Sequence, residues 1–185
     1  MTNFIHRTPW LATAATAALL ATFTGCSPSM TKSPDIADNV RKSLDDSGFK
    51  DVSSSQDREK GVVTLGGHVA TEEEKTRAEG VAKALAGTQV VANQIAVLPV
   101  GDKDAGKVNT ELDRGIEHNL EAAFVKEKLQ DEVKYTVTNH TVTLAGSVRN
   151  RSDRNRAQAI ASGVPNVTQV VNELQITKRK ATSSE

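Results

Sequence analysis

One seven-residue run occurs twice in this chain. Val63-Thr64-Leu65-Gly66-Gly67-His68-Val69 returns as Val142-Thr143-Leu144-Ala145-Gly146-Ser147-Val148, displaced by 79 residues with five positions identical. The same displacement, without a gap, carries Arg77-Ala78 onto Arg156-Ala157, Val91 onto Val170 and Asn93 onto Asn172. It also carries Ile95 onto Leu174 and Val97 onto Ile176. A register kept across positions 63–97 in a chain of 185 residues means two copies of one small module.

Duplication limits the size of each core. Two modules of about 65 residues sit near the lower limit for a self-sufficient domain. Aromatic residues are only 3% of the chain, so valine, isoleucine, leucine and alanine must fill both cores. Modest stability follows, and docking of one module on the other would add to it.

Residues 1–25 read as an export leader. His6 and Arg7 precede an apolar run from Trp10 to Phe23 that contains no acid. That run is shorter than the roughly 20 residues a membrane-spanning helix needs. It ends at Phe23-Thr24-Gly25-Cys26, which resembles a bacterial lipobox, with Phe23 where Leu is usual and Thr24 where Ala or Ser is usual. The bland alternative is an ordinary secretory signal followed by an incidental cysteine. Cys26 is the chain's one cysteine, so no internal disulfide forms, and its place after Gly25 favours lipidation. Acyl chains on Cys26 would contribute ~0.8 kcal/mol per buried methylene and give stable anchoring once two or more are attached. Ser27 follows where inner-membrane retention would use Asp, and by resemblance this favours the outer membrane. Residues 26–33 form a polar tether containing Pro28; its last seven residues reach at most roughly 25 Å.

The first module is expected over residues 34–98. Ser33-Pro34-Asp35 has the pattern of a helix start, and Ile36, Val40 and Leu44 make one apolar stripe ending at Gly48. A polar edge strand over 51–58 and a turn at Glu59-Lys60-Gly61 lead into the strand Val62–Val69. Thr71 and Glu74 form a capping box for a second helix, whose buried stripe is Ala78, Val81, Ala82 and Leu85 and which Gly87 closes. A third strand runs from Val90 to Leu98. Residues 99–109, with Gly101 and Gly106, read as a linker.

The second module is expected over 110–177. Thr110 opens its first helix, and Leu112, Ile116 and Leu120 echo Ile36, Val40 and Leu44 at a displacement of 76, which puts three extra residues before the strands. Val133–Thr138 alternates as a strand, Asn139-His140 turns, and the strand Thr141–Val148 follows. Asn150 caps a helix bearing Ala157, Ile160, Ala161 and Val164. Asn166 stands where the first module has Gly87, since asparagine accepts the left-handed conformation, and the last strand is Val167–Thr177. Residues 178–185, with Lys178-Arg179-Lys180, are expected to be a disordered tail.

The order α-β-β-α-β, with V-x-L-x-G-x-V on the central strand and V-x-N-x-[IL]-x-[VI] on the last, resembles the BON domain. The resemblance covers nearly all of the mature chain. It implies an α+β fold of two αββαβ modules, each a three-stranded mixed sheet with two helices on one face. Gly67, Gly146, Asn93 and Asn172 match the family pattern and read as fold residues. A lipobox ahead of tandem BON domains is similar to dual-BON outer-membrane lipoproteins of the DolP type. The alternative resemblance is to soluble periplasmic stress proteins of the OsmY kind, acting as chaperones.

Chemistry is not where these residue patterns point. His68, His118 and His140 have no helical metal-ligand spacing among them, and Ser147 does not sit in a nucleophile elbow. Glu72-Glu73-Glu74 is explained by helix capping. No enzyme, cofactor or metal is expected. Removal of the leader takes Arg7 from 23 basic side chains against 23 acidic ones, a net charge of −1 that gives no warrant for nucleic acid. One asymmetry is notable. Arg149, Arg151, Arg154 and Arg156 stand opposite Ala70, Glu72, Lys75 and Arg77 of the first copy. They are either a solvated face or an anionic contact, with lipid headgroups or with the acids of the first module. Dual-BON lipoproteins imply anionic phospholipid binding through the first helix of the second module, but that helix shows Glu111, Asp113, Glu117 and Glu121 with only Arg114 basic. The expected partners are the membrane through Cys26, anionic phospholipid and envelope proteins, with a role in outer-membrane integrity.

Overall fold

The computed structural model describes residues 32–177. The first module runs α1 (Ala37–Asp46), β1 (Val52–Asp57), β2 (Val62–Val69), α2 (Glu72–Ala86), β3 (Val90–Asn93) and β4 (Ala96–Val97). The second runs α3 (Ala105–Lys126), β5 (Val133–Thr138), β6 (Thr141–Val148), α4 (Arg151–Ser162), β7 (Gln169–Asn172) and β8 (Gln175–Ile176). In each module the long central strand pairs antiparallel with the strand before it and parallel with the two segments after the second helix. The parallel pairing needs a crossover, and α2 and α4 supply it. Both helices of a module lie on one sheet face. Val40 and Leu44 of α1 and Ala78, Ala82 and Ala86 of α2 meet Val52, Leu65, Val69, Val91 and Ile95 of the sheet. Alanines on α2 let it sit close, as Ala157 and Ala161 do on α4. The fold is α+β, with two modules of the expected order.

The caps follow their residue chemistry. Glu74 N–H donates to Thr71 Oγ1 at 3.2 Å, and Asp153 N–H donates to Asn150 Oδ1 at 2.9 Å. The Glu74 carboxylate reaches Ala70 N–H rather than that of Thr71, so the reciprocal bond lies one residue earlier than expected. Asn139 and His140 have φ of 47° and 67°, the two left-handed residues of a type I′ hairpin turn, and Asn166 has φ 67°.

Four expectations are corrected. Ser33-Pro34-Asp35 does not start α1. Ile36 is the N-cap residue, its hydrocarbon side chain offers no cap bond, and the segment before it is pinned to the β1–β2 hairpin. Ser33 N–H donates to Arg58 O, while Gln56 takes Ile36 N–H on Oε1 and gives Nε2 to Pro34 O. The second-module helix begins at Ala105, not Thr110, so the linker shrinks to 99–104. Asp102 drives this earlier start by accepting the N–H groups of Asp104 and Ala105 at 3.0 and 3.1 Å. Third, the first helices correspond at a displacement of 80, not 76. Phe49 N–H closes on Leu44 O, as Leu129 N–H closes on Phe124 O, and Leu112 is exposed while Ile116, Leu120 and Phe124 are buried. An i, i+4 stripe is blind to a slip of one turn. Fourth, Leu85 is 39% exposed, and Ala86 closes the α2 stripe instead.

The last strand of each module is broken in two, and the asparagine of its motif causes the break. Asn93 Oδ1 accepts Ile95 N–H at 3.3 Å, and Asn172 Oδ1 accepts Leu174 N–H at 3.2 Å. Each Nδ2 clips the crossover helix, Asn93 at Lys75 O and Asn172 at Arg154 O. Ile95 and Leu174, two residues on, are thereby turned into the core.

The modules dock through the sheet faces their helices leave bare. Val62, Ala92 and Val171 form the apolar centre, and Ala92 and Val171 are related by the 79-residue displacement. Around them, Lys60 Nζ meets Glu173 Oε2 at 2.7 Å, and Asn139 Nδ2 meets Gln94 O at 2.8 Å. Adding the displacement to Lys60 and Gln94 gives Asn139 and Glu173, so one contact is the image of the other. The interface is isologous, a pseudo-two-fold made within one chain.

Candidate functional site

Cys26, the leader and Lys178-Arg179-Lys180 lie outside the described residues. The four candidate arginines lie inside, and the structure ties down three of them. Arg149 Nε meets Glu132 Oε1 at 2.7 Å, and Arg156 pairs with Glu127. The Glu132 bond holds the Arg149 guanidinium above its ordinary pKa. Arg154 donates Nη2 to Asn172 O at 3.1 Å, under the end of β7. Arg151 opens α4 and is exposed. The basic run is thus dispersed into bonds within its own module, and it does not converge on a cleft.

Gly67 and Gly146 bend the central strands. Their φ angles are 88° and 115°, and an added Cβ would stand 2.0 Å from Asp51 O and 2.5 Å from Glu132 O. Neither position has room for a side chain. With Asn93 and Asn172, they shape the modules rather than a reactive centre. His68, His118 and His140 are spread over β2, α3 and the β5–β6 turn. Among the described residues no group of three or more His, Cys, Asp or Glu could hold a metal ion.

The module junction is the most polar buried region. The Gln169 carboxamide bridges two outward-facing groups of β3, accepting Asn93 N–H at 2.8 Å and donating to Val91 O at 2.7 Å. It thereby satisfies the free edge of the first sheet, as another strand would. The first copy has Val90 at this position, with nothing to donate or accept. Lys75 is 8% exposed and donates to Asn139 O at 3.4 Å. Burial lowers its pKa from the ordinary lysine value, with Glu72, Glu79 and Asp113 acting against that shift. Lys60 is shifted the other way, raised by its bond to Glu173.

The head of α3 is the surface that sequence reasoning passed over. Because the helix starts five residues early, Val108 and Leu112 fall one turn apart on it, 53% and 36% exposed, with Val100 nearby in the chain at 94%. Lys103, Asp104 and Lys107 precede Val108 in the chain, and Asp104 and Lys107 border the same surface. Asp102 is occupied in capping and Glu111 pairs with Arg114 at 2.6 Å. Asn109 Nδ2 donates to Val97 O at 3.4 Å, holding this turn against the first module. The available signal was the i, i+4 pair Val108 and Leu112, which the neighbouring glycines obscured. Among the described residues no helix is long and apolar enough to cross a membrane.

Comparison with known proteins gives the following. The BON domain family model matches residues 32–99 and 112–178, well over half of the chain. No curated protein matches it significantly. Two solved structures of CdsD, a structural protein of the Type III secretion system of Chlamydia trachomatis, are distantly similar. One, of the C-terminal domain, is 13% identical over 76% of this chain and 66% of that chain, with a TM-score of 0.32. The other is 12% identical over 80% of this chain and 94% of that chain, with a TM-score of 0.35. Likeness of that order bears on neither fold nor function.

Proposed function

This chain belongs to the BON domain family through both of its modules, and on that premise we propose that it is a non-enzymatic, lipid-anchored envelope protein. Cys26 would carry the acyl anchor, and the docked modules would contact phospholipid or an envelope protein close to the outer membrane they help to maintain. One observation carries the reading of lipid contact. Val108 and Leu112 are exposed one turn apart at the head of α3, with Lys107, Asp104 and Glu111 around them. Exposed apolar side chains one turn apart at a helix end suit a segment lying in a lipid interface, and their burial supplies the attraction. Lys103 and Lys107 are offset there by Asp102, Asp104 and Glu111, so headgroup charge adds little.

The test is flotation of residues 26–185 bearing Cys26→Ser with phosphatidylglycerol vesicles and with phosphatidylcholine vesicles. The reading expects flotation with the phosphatidylglycerol vesicles, and its loss in a Val108→Asp, Leu112→Asp double variant. Loss on reversing Arg149, Arg151 and Arg154 to Glu, with the α3 variant unaffected, would move the contact to the basic run. No flotation with either vesicle would remove lipid contact by the folded part altogether.

A further inference from the structure

The duplication allows one cleft to be read against its own copy. In the second module, the space between the end of α3 and the start of α4 is bridged by two ion pairs, Arg156 with Glu127 and Arg149 with Glu132. The matching space in the first module is an open cleft of about 470 Å³, bordered by Ser47, Phe49, Lys50, His68, Arg77 and Leu98 among others. Arg77 corresponds to Arg156 at the displacement of 79. At the displacement of 80 that relates the first helices, Glu127 corresponds to Ser47, and at the displacement of 79 Arg149 corresponds to Ala70. Neither ion pair can form.

Arg77 is therefore left with a different neighbour. Its guanidinium lies over the Phe49 ring, 5.4 Å from the centroid, and none of the ion pairs among the described residues includes it. Glu74 also borders the cleft but is taken up by Ala70 N–H at 2.9 Å. Lys50 and Arg77 are balanced in formal charge by Asp51 and Glu74, so any selectivity must come from the planar guanidinium fork rather than from a general positive field. The cleft has the size of an ordinary small-ligand site. Val69, Leu98 and Val100 give it an apolar wall.

We propose that this cleft binds a carboxylate carried on an apolar stem, the carboxylate pairing with Arg77 as Glu127 pairs with Arg156. Two sources share that chemistry, the C-terminal end of a peptide and a fatty acid. The site does not involve Val108, Leu112 or the anchor.

The experiment is a titration of ¹⁵N-labelled residues 26–185 bearing Cys26→Ser, followed by NMR. The probes are an N-acetylated tripeptide ending in leucine, its C-terminal amide, hexanoate and inorganic phosphate. The expected result is saturable shifts at Gly48, Lys50, His68 and the Arg77 side chain with the free acid, and at least tenfold weaker binding of the amide. Hexanoate as tight as the peptide assigns the site to fatty acids, and hexanoate tenfold weaker assigns it to peptides. Ser47→Glu rebuilds the missing carboxylate and should cut binding at least tenfold. Arg77→Gln should do the same, both with the second-module spectrum unchanged. The proposal is overturned by dissociation constants weaker than about 10 mM for both carboxylates. Equal binding of the amide, phosphate binding without carboxylate binding, or undiminished binding in both variants would also overturn it.

Discussion

Thr141 Oγ1 donates to Asn93 O at 2.6 Å across the boundary between the modules, and both residues are buried. The acceptor belongs to the residue whose side chain breaks the last strand of the first module, so this one bond joins the interface to the fold motif. Thr141→Val keeps the shape and leaves that carbonyl without its partner. An unsatisfied buried acceptor costs about 1–3 kcal/mol. Urea unfolding should show a loss of that size. A change below a few tenths of a kcal/mol would mean that the carbonyl reaches water in solution.

The two sheet edges make an internal control for docking. Asn93 N–H is held by Gln169, while the first copy has Val90 at the position of Gln169 and so offers the corresponding edge of β7 no side-chain acceptor. Hydrogen exchange in a single sample should therefore be slower at the Asn93 amide than at the Asn172 amide. Gln169→Ala should bring the two rates together. Equal rates in the unaltered chain would show that the modules part readily.

What the sequence made legible was chemistry acting over a few residues. Thr71, Asn150 and the Asn139-His140 turn each work on backbone groups within three or four positions, and each is found in that role. Asn166 has the expected left-handed backbone, but α4 has already ended at Ser162. Gln56, which stands in for the expected Ser33 cap, acts from 20 residues away across a hairpin. The register of the first helix was ambiguous because Leu112, Ile116, Leu120 and Phe124 all fit one stripe, and only packing on Leu129 and Val133 decides among them. The interface turned on single exchanges, Val90 for Gln169 and Lys60 for Asn139, which carry no periodicity. The arginine run looked like a surface for ligands because Glu127 and Glu132, its partners, lie more than 15 residues earlier in the chain.

Gly67 and Gly146 offer a graded pair of substitutions. At Gly67 an added methyl would lie 2.0 Å from Asp51 O, at Gly146 2.5 Å from Glu132 O, and both backbones are left-handed. Strain at such a position costs about 1–3 kcal/mol before any clash. Gly67→Ala should destabilise by about 3 kcal/mol or more and Gly146→Ala by less, both read from chemical denaturation. The reverse order would mean that the bend in β6 is the stiffer one.

Lys75 predicts a dependence on pH. Its pKa is lowered mainly by burial, so between that lowered value and the ordinary 10.5 the unfolded chain holds a proton that the folded chain does not. Its contribution to stability therefore rises with pH across that window, and below it the folded chain bears the full cost of a buried ammonium. Lys60, raised by Glu173, contributes stability below 10.5 that is lost as pH rises through its folded value. Subtracting the unaltered chain from Lys75→Met removes the Lys60 effect. The variant should be more stable at pH 7 by on the order of 1 kcal/mol, the gain shrinking as pH approaches 10.5. A gain independent of pH would mean that Lys75 is solvated in the folded state.

Anchoring is the claim on which the functional proposal stands, and the intact mass of the chain purified from membranes of its own cells tests it directly. The account predicts a chain beginning at Cys26, heavier than its sequence by a diacylglyceryl group on the thiol and further acylation. A chain beginning elsewhere, or beginning at Cys26 with a free thiol, would contradict it.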